Sequence, residues 1–354
     1  MAARLDPIEG RKIRFGLVGC GRISANHIEA IQKHSDQAEL VAVCDTDPAA
    51  LEATVQKTRA RGYSRLSDLL ADASVDVVSL CTPSGLHPEQ ARQSAQAGKH
   101  VVSEKPMATS WEDGLAMVRE VEDQGVRLFV VKQNRRNSTL QLLKKALDQG
   151  RFGKIYNVAL NVFWTRPQSY YDQAPWRGTW KWDGGAFMNQ ASHYVDLLTW
   201  LLGPLDELHA FTATHARKIE AEDSGVVSLK WKSGALGTLN VTMLTYPKNL
   251  EGSITILGEK GTVRVGGVAV NEIQVWDFDE ARAEDAGIRE ASYATTSVYG
   301  HGHPLYYQNV IETLQGKADP ETDGNAGLQS LQTLIGIYRS AREGKRVALP
   351  LERT

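Results

Sequence analysis

Four clusters in this chain combine residue types and spacings suited to redox chemistry on a polar small molecule. The first is Gly19-Cys20-Gly21-Arg22-Ile23-Ser24. Two glycines one residue apart permit a tight turn and let the backbone approach a pyrophosphate, and Ser24 is small enough for helix–strand packing. Free N–H groups at the helix start, around Arg22 and Ile23, then offer an anion site. Asp45 lies 24 residues beyond Gly21, near the spacing of a ribose-binding carboxylate. Thr46 and Asp47 follow, with no arginine to accept a 2′-phosphate. A carboxylate repels that phosphate, so the expected cofactor is NAD and not NADP.

The next two clusters stand at the ends of predicted parallel strands, where ligands bind in open α/β sheets. In Cys81-Thr82-Pro83-Ser84-Gly85-Leu86-His87, Thr82 and Pro83 are candidate cofactor contacts. His87 lies either beside the nicotinamide or simply at a helix start. In Glu104-Lys105-Pro106, the proline holds Lys105 extended or in a turn. A partly desolvated lysine beside a cationic nicotinamide is expected to have a lowered pKa, to hydrogen-bond a substrate hydroxyl and to assist loss of its proton. The plain alternative is a surface lysine.

The fourth cluster is Asp183-Gly-Gly-Ala-Phe-Met-Asn189-Gln190-Ala-Ser-His193-Tyr-Val-Asp196. Asn189, His193 and Asp196 fall at i, i+4 and i+7 and are expected on one face of a single helix, with Phe187, Val195, Leu198 and Leu202 on the buried side. Taking a hydride from a carbinol leaves a proton to be lost from its oxygen, and histidine is the natural base. A satisfied core histidine is the alternative. No second His or Cys lies at ligand spacing, so no metal is expected.

Seven aromatic residues lie between 163 and 182: Phe163, Trp164, Tyr170, Tyr171, Trp176, Trp180 and Trp182. Arg166 and Arg177 are interleaved with them. Aromatic faces stack on sugars and bases, and arginine forks bind carboxylate or phosphate. A subunit interface would favour the same residues. Tyr246-Pro247-Lys248-Asn249 and His301-Gly302-His303-Pro304-Leu305-Tyr306 are further polar loop clusters that could complete a pocket.

These groups must be positioned by a chain of 354 residues, 42% hydrophobic, long enough for two domains. Residues 12–131 alternate short apolar runs with helical patterns: strands at 12–18, 39–44, 75–81, 100–104 and 127–131, and helices from 23 and from Pro48. That grammar predicts a parallel, doubly covered sheet. After about residue 151 it changes. One helix near 185–202 precedes strand-like runs at 207–216, 224–231, 235–244, 253–257, 262–265 and 268–278, joined by turns such as Lys232-Ser233-Gly234. The expected fold class is therefore an α/β Rossmann domain, 1–132, followed by an α+β domain, 133–354, with a large, mostly antiparallel open sheet. A C-terminal helix at 327–342 is expected to pack between the two. The net charge of −2 offers no basic surface for nucleic acid. The start has no secretion signal and no apolar run suits a membrane span, so a cytoplasmic protein is expected. Cys20, Cys44 and Cys81 read as small hydrophobes in a reducing compartment.

In this order and spacing, the Gly-x-Gly turn, Asp45, Thr82-Pro83…His87, Glu104-Lys105-Pro106 and Gly184-Gly185…His193…Asp196 resemble the glucose-fructose oxidoreductase / inositol dehydrogenase family over essentially the whole chain. The resemblance implies an oligomerising second sheet, here in a homotetramer. It implies that Lys105 and His193 flank the reacting hydroxyl, that Glu104 lies near the nicotinamide ribose, and that Asn134 joins the cofactor site. Many relatives carry Asp four residues before the histidine. An amide at Asn189 cannot relay a proton as a carboxylate does, which leaves the base role to His193, with Lys105 assisting.

Within the family, Gln133-Asn-Arg-Arg-Asn-Ser138, Asn161-Val-Phe-Trp-Thr-Arg-Pro-Gln168, Trp176-Arg-Gly-Thr-Trp180 and Asn249-Leu-Glu-Gly-Ser-Ile-Thr resemble the bacterial UDP-N-acetyl-2-amino-2-deoxyglucuronate 3-dehydrogenases of surface-polysaccharide synthesis. That implies oxidation of a sugar C3 hydroxyl to a ketone, which an aminotransferase later converts to an amine. Arg166, Tyr171, Trp176, Arg177, Asn189, Tyr246 and Lys248, with Lys105 and His193, are then the expected substrate contacts. The competing expectations are a dehydrogenase of a free polyol or sugar, and a non-catalytic NAD-dependent regulator on the same fold. Retention of both Lys105 and His193 argues against the regulator.

Overall fold

The computed structural model describes residues 6–295 and 302–352, so His301 lies outside the described residues. The first third builds β1 (Ile13–Val18), α1 (Ser24–Lys33), β2 (Ala38–Cys44), α2 (Pro48–Thr58), β3 (Arg61–Tyr63), α3 (Leu66–Leu70), β4 (Val77–Leu80), α4 (His87–Gln96), β5 (His100–Ser103), α5 (Trp111–Asp123) and β6 (Leu128–Val130). Every adjacent pair is parallel, in the order β3-β2-β1-β4-β5-β6. The order reverses between β1 and β4, which marks the carboxyl ends of those strands as the ligand crevice. β1 and β4 are buried along almost their whole length, Arg14 alone being partly exposed, because both faces of the sheet are covered. Local chemistry starts the helices: Asp47 accepts the Ala49 N–H at 2.9 Å, and Pro48 occupies the first turn of α2.

The chain continues through α6 (Ser138–Asp148), β7 (Ile155–Phe163), α7 (Gln168–Tyr171), α8 (Ser192–Leu202), β8 (Leu205–Ala213), β9 (Ser224–Trp231), β10 (Leu236–Thr242), β11 (Glu251–Gly258), β12 (Gly261–Gly266), β13 (Glu272–Phe278), α9 (His303–Leu314), α10 (Gly324–Glu343) and β14 (Val347–Ala348). Eight strands form one sheet in the order β13-β12-β11-β7-β10-β9-β8-β14. Only the β7–β10 pair in it is parallel. The expected strand at 224–231 is β9 to the residue. β7 is absent from the expected strands, yet it sits in the middle of the sheet. Its neighbours are β10 and β11, more than seventy residues on, so no hairpin turn announces it.

The chain divides into two compact units, Met1–Lys132 with His303–Leu331, and Gln133–Gly302 with Gln332–Thr354. Residues 303–331, expected in a continuous second domain, therefore pack with the first unit. The reason is visible in α9: Tyr306, Tyr307, Val310, Ile311 and Leu314 join Phe15, Ile31, Val102 and Phe129 in one buried cluster. Periodicity predicts a helix with an apolar face; it does not say which sheet that face covers.

Candidate active site

In the first unit, the glycine turn closes as the sequence requires. Gly19 has φ +94°, and a Cβ there would stand 2.7–2.9 Å from backbone atoms of Cys81 and Thr82. Only glycine allows β1 to end so close to the end of β4. A Cβ on Gly21 would meet no atom within 4 Å, so open space lies over the turn. The start of α1 at Ile23 carries no side-chain cap, while the Ser24 and Asn26 N–H groups bond back to the Gly21 and Ile23 carbonyls at 3.2 and 3.0 Å. Asp45 ties strand to turn: one carboxylate oxygen accepts the Cys20 N–H at 2.6 Å and the other the Asp47 N–H at 2.8 Å. A cradle open above a glycine turn, a helix start without a side-chain cap and a half-buried carboxylate fit a dinucleotide. The group would bring a pyrophosphate to the turn, with Arg22 exposed beside it, and a ribose to Asp45.

Thr82 donates its hydroxyl to Gln90 at 2.6 Å, and Pro83 leads into α4. His87 corrects the cofactor expectation placed on it. Its ring is buried, with Nδ1 2.9 Å from the Pro106 carbonyl and Nε2 2.9 Å from the Thr82 carbonyl. Both nitrogens are thus spent on the backbone, and of its two readings the helix-start clamp is the one seen. Burial lowers its pKa, against the two carbonyls and Glu104, which favour the proton.

Glu104 also departs from expectation. It is 5% exposed and turned inward: Oε1 lies 3.0 Å from His27 Nε2, and Oε2 accepts the Lys105 N–H at 3.0 Å. A carboxylate held this way has no oxygen turned out to a ribose. Lys105 itself follows β5 in a bend before Pro106 and is half-buried.

In the second unit, the expected single helix is two pieces. A π-helical turn, Ala186–Gln190, ends at Ala191, and α8 begins at Ser192. Asn189 and His193 therefore sit on different elements. The Asn189 side chain donates to Asp183, whose other oxygen accepts the Gly178 N–H at 2.7 Å. His193 is 5% exposed, with Nε2 3.0 Å from Gln133 Nε2. Asp196 shares α8 with His193, as expected, and takes both prongs of Arg135 at 2.7 Å each, 2% exposed. Such a pair is bidentate and charge-assisted, and it anchors α8 to the segment that carries Gln133. Asn134 lies in that same segment, buried, with a side-chain oxygen lacking a protein partner.

Sequence reasoning missed Glu222. A Cβ on Gly185 would stand 1.8 Å from its carboxylate, which explains that glycine. Glu222 accepts the Phe187 N–H and the Tyr338 hydroxyl, each at 2.9 Å, and so clamps the turn before His193. Burial pushes its pKa up to about 7, against those two hydrogen bonds. Its only sequence signal was an acidic pair, Glu222-Asp223, before a strand.

The aromatic segment is split. Trp164, Tyr170 and Tyr171 are buried, the phenol of Tyr171 pushed up by that burial. Trp176, Arg177 and Trp182 are half-buried and Trp180 is 47% exposed. Arg177 stacks 4.3 Å from the Tyr170 ring and 4.7 Å from that of Trp176. Arg166 lies 5.3 Å from Trp164 and donates to Gln190 at 3.1 Å. Tyr246, 95% exposed, and Lys248 lie at the surface.

Residues 13–132 match the oxidoreductase family's NAD-binding Rossmann fold, and residues 144–349 match its C-terminal alpha/beta domain. The chain belongs to the glucose-fructose oxidoreductase / inositol dehydrogenase family. It is an NAD-dependent dehydrogenase acting on a CH–OH group. The WlbA dehydrogenase from Bordetella pertussis, solved with NADH and UDP-GlcNAcA, is 68% identical, with a TM-score of 0.96 over 98% of this chain and 100% of that one. The WlbA dehydrogenase from Chromobacterium violaceum, solved with the same two ligands, is 65% identical, with a TM-score of 0.95 over 98% and 99%. More distantly, the inositol 2-dehydrogenase of Rhizobium meliloti is 29% identical over 95% of this chain and 99% of its own length. Among the described residues, no helix is long and apolar enough to cross a membrane.

Proposed function

We propose that this protein oxidises the C3 hydroxyl of UDP-N-acetyl-2-amino-2-deoxy-D-glucuronate to the 3-keto sugar. The observation that carries the reading is the likeness, at 68% and 65% identity over 98% of the chain, to two dehydrogenases solved with NADH and UDP-GlcNAcA. When bound, NAD supplies the acceptor for the C3 hydrogen and its electron pair. His193 takes the proton of the C3 hydroxyl, and Lys105 donates a hydrogen bond to the same oxygen as it becomes a carbonyl. Gly19, Gly21, Arg22 and Ile23 hold the pyrophosphate, Asp45 a ribose, and Thr82, Pro83 and Asn134 the remainder of the dinucleotide. Asn189, held by Asp183, binds the sugar without relaying a proton. Arg166 and Arg177 meet the anionic groups of the substrate, Tyr171 and Trp176 its rings, and Tyr246 and Lys248 its outer end.

The reading extends to a cytoplasmic enzyme of surface-polysaccharide (lipopolysaccharide O-antigen) synthesis whose ketone product an aminotransferase consumes. It also extends to a homotetramer. In support, Phe211, Val226, Leu236 and Leu257 are exposed apolar side chains on one face of the second sheet, which a partner subunit would cover. The experiment is to follow NADH absorbance with a panel of UDP-hexuronates, free sugars and polyols, with light scattering for mass. Turnover of the UDP-hexuronate alone is expected. Turnover of free polyols alone would decide for an inositol-type dehydrogenase.

A further inference from the structure

We propose that His27 and His303 are positioning residues: they hold Glu104 as a buried anion whose second oxygen fixes the backbone of Lys105. This rests on Lys105 acting at the substrate hydroxyl, as proposed above. A buried carboxylate persists only where donors surround it. Here the donors come from elements far apart in the chain. His27, fully buried on α1, meets Glu104 Oε1 at 3.0 Å, and His303, at the start of α9, stands 3.6 Å from the same oxygen.

The far side of His27 carries a chain of contacts that suits a donor toward Glu104. Its Nδ1 lies 2.7 Å from the Tyr307 hydroxyl, which lies 2.9 Å from the Ser79 hydroxyl. With Ser79 donating to Tyr307 and Tyr307 donating to Nδ1, the Nε2–H of a neutral His27 points at Glu104. Burial alone would push the Glu104 carboxyl up, but the hydrogen bond from His27, with His303 close by, holds it well below its ordinary value. Glu104 spends its other oxygen on the Lys105 N–H at 3.0 Å. His27 and Ser79 are wholly buried and His303 is 3% exposed, so they act on the reaction through Glu104 and the main chain of Lys105, not by touching substrate.

The ligand atoms of His27, Glu104 and His303 also lie within 4.8 Å of one another, a spacing a metal ion could use. The direct His27–Glu104 hydrogen bond is the arrangement present, and an ion would have to replace it.

The test measures kcat and KM with NAD and UDP-N-acetyl-2-amino-2-deoxy-D-glucuronate. His27→Leu is expected to lower kcat about 10–100-fold with both KM values within about threefold, and His27→Gln, which keeps an N–H toward Glu104, to recover most of that loss. Tyr307→Phe, which removes one hydroxyl, is expected to lower kcat about threefold and covers the case in which His27→Leu does not fold. Wild-type kcat in His27→Leu or Tyr307→Phe, or equal losses in His27→Leu and His27→Gln, would overturn the proposal. So would one equivalent of divalent metal in the purified enzyme with kcat lost on chelation. Lys105→Ala separates the two readings: full turnover there refutes the role of Lys105, whereas its loss beside a normal His27→Leu refutes only the network.

Discussion

The side-chain amide of Gln133 lies 3.0 Å from Nε2 of His193, and its Oε1 is buried without a protein partner. An amide can serve either protonation state of an imidazole. With its oxygen turned to an Nε2–H, the neutral ring carries its lone pair on Nδ1, and the same hydrogen bond serves the imidazolium once Nδ1 takes a proton. Gln133 therefore suits a histidine that gains a proton during turnover. Replacing it by a carboxylate favours the imidazolium, and the base then becomes available only at higher pH. Gln133→Glu is expected to move the acidic limb of kcat/KM upward by about one pH unit, and Gln133→Leu to lower kcat/KM about tenfold. Profiles measured from pH 5 to 9 decide this; an unmoved limb in Gln133→Glu would count against His193 as the base.

The proposed roles of Lys105 and His193 make a sharper prediction. Lys105→Ala and His193→Ala are each expected to lower NADH formation by about 10²–10⁴-fold. NAD affinity, followed by quenching of tryptophan fluorescence, should stay within a few-fold, because the glycine turn and Asp45 are untouched. Normal turnover in either variant sinks the mechanism.

The proposed role of Asp45 predicts cofactor choice. Its carboxylate would oppose a 2′-phosphate, so the wild type is expected to prefer NAD over NADP by at least about 100-fold in kcat/KM. Asp45→Ala removes the repulsion and also the acceptor for the Cys20 N–H, so it should narrow the preference while raising KM for NAD. A wild-type preference for NADP would mean that the carboxylate does not face the ribose.

Glu222 links stability to pH. Its folded-state pKa, raised from 4.5 to about 7 by burial, means the folded chain holds this proton more tightly than the unfolded chain. Below pH 4.5 both states carry it and nothing is lost. As pH rises from there through about 7 the folded state is progressively disfavoured. Glu222→Gln keeps the shape and removes the titration. Its melting temperature relative to wild type is therefore expected to rise across that window, by an amount on the order of 1–3 kcal/mol of stability. A constant difference between pH 4 and 8 would mean that Glu222 is ionised in both states. In the same clamp, Gly185→Ala drives a methyl into the carboxylate and should destabilise by about 2–4 kcal/mol in denaturant unfolding.

Local chemistry was legible in the residues themselves. Gly19 could be read as the turn because only glycine takes its positive φ against the end of β4, and Asp45 because its distance from that turn is set by one βαβ unit. β9 was legible because its apolar residues alternate between turn signals, and Lys105 because a strand end and a proline fix its setting. Asn189 looked like a helical neighbour of His193, yet the chain breaks at Ala191 between them, and Asp196 is held by Arg135, 61 residues away. His87 looked available, and two carbonyls consume it. β7, the return of α9 to the first unit, Gln133 beside His193 and Glu222 beneath Gly185 all depend on segments far apart in sequence. The sequence by itself determined most of the elements, the glycine turn and the types of residue that could react, because propensity, turn chemistry and periodicity act over a few residues. Only the tertiary structure decided which partner each of those residues has, because long-range packing leaves no period in the chain.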